Sequence, residues 1–161
     1  MSPTGHFHIK NTLKKTNAPL AGEMSGHIFF NDDWFGFDDG VFVAARLCQI
    51  IAGQSNSVSD VFSSLPDSVN TPELKLPMPE DKKADFMRRL LDNGDFGDAE
   101  RITIDGLRVD FGWGWALVRP SNTSPYLIIR FEAESNEKLQ NLQTLMREQL
   151  LSLDGELLLP F

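Results

Sequence analysis

Arg101-Ile102-Thr103-Ile104-Asp105-Gly106-Leu107-Arg108-Val109-Asp110-Phe111 is the stretch that decides the fold. Apolar side chains alternate on both sides of Asp105-Gly106, as they do when a strand sends successive residues to opposite faces. Asp-Gly suits a two-residue type I′ turn, so the stretch predicts an antiparallel hairpin. Downstream, Trp115 to Arg119 and Tyr126 to Glu132 predict two more strands around Pro120-Ser121-Asn122-Thr123-Ser124-Pro125. Ser135 to Leu151 is the strongest helical pattern, with Leu139, Leu142, Met146 and Leu150 on one side. Upstream, Glu73 to Leu76 has strand period, and Glu80 to Leu91 is helical with Phe86, Leu90 and Leu91 together. Strands in one run with flanking helices predict an α+β fold: an antiparallel sheet with two helices on one face.

Toward the N-terminus the pattern changes. Gly53-Gln54-Ser55-Asn56-Ser57 has nothing apolar to bury, and Pro66, Pro72, Pro77 and Pro79 follow. Proline at that density breaks helices, which places a boundary near residue 66 and predicts domains over 1–66 and 67–161. The first part reads helix, strand, helix, an α/β layer. His6 to Lys15 carries Phe7, Ile9 and Leu13; Leu20-Ala21-Gly22 and His27-Ile28-Phe29-Phe30 flank a glycine-rich turn. Asp38-Asp39-Gly40 offers N-cap chemistry for a helix over Val41 to Ala52, and Ser57 or Ser59 can cap Val58 to Leu65.

The 161 residues hold 15 Lys+Arg against 23 Asp+Glu, a net charge of −8. A broad nucleic-acid surface needs a basic face, so that class is disfavoured, while one local phosphate pocket is not. Cys48 stands alone and can form neither an internal disulfide nor a cysteine-based zinc site, which fits a reducing cytoplasm. No apolar run approaches the ~18 residues of a membrane span. The expectation is a cytoplasmic chain without nucleic-acid or membrane partners.

Two motifs can carry chemistry. Gly22-Glu23-Met24-Ser25-Gly26-His27 gathers a carboxylate, a hydroxyl and an imidazole. In an extended backbone Glu23 and Ser25 share a face and could hold adjacent hydroxyls of a sugar, with His27 able to move a proton. The alternative is a solvated turn whose glycines supply positive φ. Arg119-Pro120-Ser121-Asn122-Thr123-Ser124-Pro125 sets a guanidinium fork beside hydroxyls and an amide, donors suited to a phosphate dianion. An ordinary polar turn is its alternative. Asp32, Asp33, Asp38 and Asp39 lack the spacing of a calcium loop, and capping by Asp38 and Asp39 explains that pair. Trp34, Trp113 and Trp115 read as packing residues, and His6 and His8 as surface or capping residues at a helix start.

With these motifs in order, Gly22–His27, Trp34-Phe35-Gly36-Phe37-Asp38-Asp39-Gly40 and Arg119-Pro120-Ser121-Asn122-Thr123, the chain resembles the α-D-phosphohexomutase superfamily from Thr4-Gly5-His6 to its end. The resemblance implies that residues 1–66 are the C-terminal remnant of a third, sugar-reading domain, and so only a partial α/β layer. It likewise implies that 67–161 are a complete fourth, phosphate-clamping domain. Glu23 and Ser25 would bind ring hydroxyls; His6 would lie near the substrate and His27 beside the sugar loop. Arg119, Ser121, Asn122 and Thr123 would hold the phosphate. The reaction implied interconverts hexose 1- and 6-phosphates through a phosphoserine and a bisphosphate, supported by Mg²⁺.

Neither a Thr-Ala-Ser-His-Asn-Pro-type serine loop nor an Asp-Gly-Asp-Gly-Asp-Arg-type metal loop is present in these residues. The expectation is therefore a substrate-recognition part, inactive alone, with no catalytic residue beyond a proton-transfer role for His27 and no metal ligands. A non-catalytic sugar-phosphate-binding or docking module is the alternative. No residue is dedicated to the C2 hydroxyl, so mannose and glucose phosphates both stay open. Leu20, Ile28, Phe29, Phe30, Val43, Leu47 and Ile50 would lack packing partners, which favours a homodimer through the N-terminal part.

Overall fold

The computed structural model describes Met1–Phe161, which divide into two compact units, Met1–Pro66 and Asp67–Phe161. In the second unit the hairpin forms from β5 (Glu100–Ile102) and β6 (Leu107–Asp110), with Ile102 opposite Arg108. That register makes the connection longer than the two-residue turn the sequence suggested. Type I′ needs positive φ at both central residues, and here Gly106 has it while Asp105 does not. Ile104 consequently leaves the strand and is half exposed. A Cβ on Gly106 would stand 2.3 Å from the Val118 carbonyl oxygen and 2.6 Å from Arg119 Cα, so glycine also permits the close approach.

The sheet continues through β7 (Gly114–Pro120) and β8 (Tyr126–Ala133), all antiparallel, with Arg119 opposite Ile128. The far side of β8 is paired by two short strands, β3 (Val69–Asn70) and β4 (Leu74–Pro77). The sequence did not signal β3. Between them Thr71, itself buried, exchanges bonds with Phe131: its N–H donates to the Phe131 carbonyl, and its Oγ1 accepts the Phe131 N–H at 3.1 Å.

Alternation sends Leu107, Val109, Ala116, Val118, Leu127, Ile129 and Phe131 to one face, where they are buried. Helices α4 (Glu80–Asn93) and α5 (Asn136–Leu153) cover that face with Phe86, Met87, Leu90, Leu142, Met146 and Leu150. Ser135 caps α5 by accepting the Lys138 N–H. The fold is α+β, an antiparallel sheet under two helices.

The first unit opens with α1 (His6–Thr16), entered from Gly5 at φ 120° and closed by Asn17 in the left-handed region. Ile9 and Leu13 bury against Phe29 of the hairpin β1 (Leu20–Gly22) and β2 (Ile28–Phe30). Phe29 is wholly buried, which corrects the expectation that it lacks partners; α1 supplies them. Burying such a side chain is worth roughly 1.5–3 kcal/mol. Leu20, Leu47 and Ile50 are exposed, and Ile28, Phe30 and Val43 are half buried. Helix α2 (Gly40–Ala52) buries no residue, although Asp39 caps it by accepting the N–H groups of Val41 and Phe42. Ser57 and Asp60 form a capping box on α3 (Val58–Ser63). No helix is long and apolar enough to cross a membrane.

Candidate functional sites

The Gly22–His27 segment closes the β1–β2 hairpin. The Glu23 N–H donates to the His27 carbonyl at 2.9 Å and the Gly26 N–H to the Glu23 carbonyl at 3.0 Å, with Gly26 at φ 87°. The segment is a turn rather than the extended run on which a shared face was argued. The three polar side chains meet all the same. Ser25 Oγ lies 2.7 Å from His27 Nδ1, and that nitrogen lies 3.5 Å from Glu23 Oε2. The other Glu23 oxygen accepts the Gly5 N–H at 2.8 Å, which ties the turn to the start of α1. His6 thereby stands edge-on to His27, ring centroids 4.9 Å apart, and edge-on to Phe29.

Asp38 joins this cluster, a member that sequence reasoning assigned to capping. Asp39 alone caps α2 and accepts the Trp34 indole N–H, while Asp38 pairs with Phe29 through an isolated bridge. Asp38 Oδ2 then lies 3.3 Å from His6 Nε2 and 3.8 Å from His27 Nε2. The signal was the doubled aspartate itself, since one residue satisfies a cap. His8 is exposed beside Phe7 and takes no part. Trp34 stacks on Phe42, consistent with packing.

The second site lies at the end of β7. Arg119 is half buried and makes no ion pair within the chain. Ser121 is half buried, and Asn122 and Thr123 are exposed on the loop that follows. The loop is tightly tied: Ser121 N–H to the Tyr126 carbonyl, Tyr126 N–H to the Ser124 carbonyl, and Met78 N–H to the Pro125 carbonyl, each at 2.8–2.9 Å. Sequence reasoning missed Lys83. The residue is 4% exposed, and Nζ donates to the carbonyls of Ser121 and Ser124 at 2.7 and 3.0 Å and pairs with Glu80 at 2.7 Å. A lysine on a helical pattern reads as solvated, and only the three-dimensional neighbourhood of the loop shows otherwise.

On the sheet face away from the helices, Arg108 lies over the Trp115 ring and pairs with Asp110 at 2.6 Å. Burial pushes the Asp110 carboxyl up, but the hydrogen bonds from Arg108 and the Gly112 N–H, with the Arg108 charge, outweigh it and hold the group below its ordinary range.

The turn of the first unit thus gathers a carboxylate, a hydroxyl and an imidazole, and the second unit carries a half-buried arginine beside a tightly bonded loop. Residues 1–69 match the phosphoglucomutase/phosphomannomutase alpha/beta/alpha domain III, and residues 73–149 match that family's C-terminal domain. The chain belongs to the phosphoglucomutase/phosphomannomutase family and carries its domains III and IV. It is 45% identical over 161 residues to a phosphomannomutase/phosphoglucomutase of Pseudomonas aeruginosa, covering all of this chain and 35% of that protein. A phosphoglucomutase of Neisseria meningitidis is 48% identical over 145 residues, 89% of this chain and 31% of the other. The crystal structure of a phosphoglucomutase/phosphomannomutase family protein from Burkholderia thailandensis superposes with a TM-score of 0.92 at 43% identity, over all of this chain and 34% of that one. The chain thus spans about a third of the length of the relatives it matches.

Proposed function

We propose that this chain is the substrate-recognition part of a hexose-phosphate mutase of the phosphomannomutase/phosphoglucomutase type. Arg119 carries the reading: an unpaired guanidinium at a strand end, beside a loop whose backbone is already fixed. A fork that forms two parallel bonds to a phosphate, with the hydroxyls of Ser121 and Thr123 and the amide of Asn122 as further donors, fits a phosphate monoester dianion. Glu23 and Ser25 take adjacent ring hydroxyls, one accepting and one donating, and His6 and His27 border the same sugar. A carboxylate and a hydroxyl read either end of a hexose alike, which suits a reaction that takes its sugar in two orientations.

In such a mutase a phosphoryl group passes between O1 and O6 by way of a phosphoserine. Mg²⁺ serves the transfer in the family, and Mg²⁺ demands an octahedron of oxygens. The histidine-rich cluster of the first unit does not fit it, so no step is assigned to that ion here. With neither the serine-donor loop nor the aspartate-rich metal loop among its residues, the chain binds hexose phosphate and does not turn it over. The locale implied is the cytoplasm.

The test is titration of the ¹⁵N-labelled chain with mannose 1-phosphate and glucose 1-phosphate. Shifts are expected at Arg119–Thr123 and at Glu23–His27, with millimolar affinity because exposed ion contacts are worth only ~0–1 kcal/mol each. Arg119→Ala removes the loop shifts. Loop shifts that persist in the variant place the phosphate elsewhere, and Mg²⁺-dependent mutase turnover by the chain refutes its inactivity.

A further inference from the structure

Four polar side chains from separate backbone positions converge in the first unit: His6 from the first turn of α1, Glu23 and His27 from the hairpin turn, and Asp38 from the segment bridged to Phe29. One ligand atom each of His6, Glu23 and His27 lies within 4.8 Å of the other two. We propose that His6, Glu23 and His27 form a site for a borderline divalent transition-metal cation such as Zn²⁺, and that this cation competes with sugar hydroxyls for the same atoms.

The donor set selects the class of ion. Two imidazoles and a carboxylate suit Zn²⁺, Co²⁺ or Ni²⁺, whereas Mg²⁺ and Ca²⁺ prefer oxygens alone. At tetrahedral angles an ion about 2.1 Å from each donor puts any two of them about 3.4 Å apart, so atoms within 4.8 Å of one another must close by up to about 1.4 Å. The histidine side chains are free enough to do it, being 48% and 45% exposed. Glu23 is the anchor: it is 11% exposed and its far oxygen is held by the Gly5 N–H. Asp38 Oδ2 lies near Nε2 of both histidines, at 3.3 Å from His6 and 3.8 Å from His27. A carboxylate that accepts from the second nitrogen of an imidazole orients the ring and strengthens its metal-binding nitrogen. His27 is placed for this division, with Nδ1 toward Glu23 and Nε2 toward Asp38, once Nδ1 gives up the Ser25 hydroxyl 2.7 Å away. The ionic partners of Glu23 and Asp38 within the chain are these histidines, so no lysine or arginine neutralises the pair.

The competition rests on the sugar reading above; the site itself does not. The chelator-stripped 161-residue chain is titrated with Zn²⁺ by calorimetry and with Co²⁺ by visible absorption, folding of each variant being checked by circular dichroism. One ion per chain is expected at micromolar affinity. His6→Asn and Glu23→Gln each weaken it at least tenfold and remove the Co²⁺ band, while His8→Asn changes neither. If His6→Asn does not fold, His27→Gln gives the same reading from the hairpin turn. A wild-type isotherm in the folded His6 or His27 variant, or no isotherm at all, overturns the site. Mannose 1-phosphate is then titrated with chelator and with saturating Zn²⁺, and its affinity is expected to fall at least tenfold. Sugar-phosphate binding in chelator without any Zn²⁺ isotherm sinks the metal site and spares the sugar reading. Zn²⁺ binding without sugar-phosphate binding does the reverse, and equal sugar-phosphate affinity in both conditions refutes the competition.

Discussion

Lys83 and Ser121 are 38 residues apart in the chain, yet the lysine side chain of α4 holds the Ser121 carbonyl at 2.7 Å in a buried pocket of the second unit. The loop beside Arg119 is held by this lysine as well as by its own backbone bonds. Lys83→Met keeps most of the apolar stem but leaves the Ser121 carbonyl without a donor, the Ser124 carbonyl keeping only the Tyr126 N–H, at a cost of about 1–3 kcal/mol. A lower urea midpoint and broadened Ser121–Ser124 amides are expected, together with loss of the phosphate-induced shifts. An unchanged midpoint and sharp loop amides would remove Lys83 from this role.

Gly106 offers a second way to disturb the same strand end without removing a polar side chain. Gly106→Ala puts a methyl into the Val118 carbonyl and Arg119 Cα at a positive φ, and should cost about 1–3 kcal/mol. The chemical shifts of Val118 and Arg119 should move with it. A variant as stable as the parent, with those shifts intact, would mean that the turn relaxes freely.

The Arg108–Asp110 pair gives the fold a pH dependence of known sign. Because the Asp110 carboxyl is held below its ordinary range in the folded chain, its contribution is fully present above about pH 4 and is lost as pH falls through the depressed value. Both side chains are partly exposed, so the amount is below ~1 kcal/mol. The stability gap between wild type and Asp110→Asn should shrink from pH 7 to pH 2 in chemical denaturation. A gap that is constant or grows over that range contradicts the assignment.

Helix α2 predicts self-association of the chain on its own. Leu47 and Ile50, three residues apart and so on one side of α2, are exposed at 44% and 53%, and apolar surface of that kind seeks cover. Sedimentation equilibrium at micromolar concentration should give a dimer, and Leu47→Glu with Ile50→Lys should return a monomer. A wild-type chain that sediments as an 18.1 kDa monomer would count against it.

Much of this fold is legible because period and punctuation agree. The α5 pattern finds its helix, with Leu142, Met146 and Leu150 buried as their spacing requires. β7 and β8 read out from their alternation, and Ser57 and Asp39 act as the caps their residue types suggest. What was not legible depended on pairing. β3 is two residues long and has no pattern of its own; it exists because Ala133 and Glu132 lie opposite. The turn at Gly106 is set by register, which Asp-Gly alone does not fix. Of the site, the two motifs could be quoted from the sequence, but the roles of Lys83 and Asp38 could not. Each gains its role from a neighbour distant along the chain, Lys83 from the β7–β8 loop and Asp38 from the two histidines.

The Thr71 hydroxyl has a consequence for solubility under crowding. An edge strand with a continuous row of unpaired amides and carbonyls is a template on which another chain can add. Here the edge along β8 is two half-strands of two and four residues, joined where a side chain takes the place of a backbone rung. A would-be partner strand finds its template interrupted almost at once, and Pro77 withholds an amide at the end of the longer half. Replacing Thr71 by valine would strip the Phe131 amide of its acceptor while leaving the interruption in place. Hydrogen exchange at Phe131 would then quicken without any rise in fibril formation.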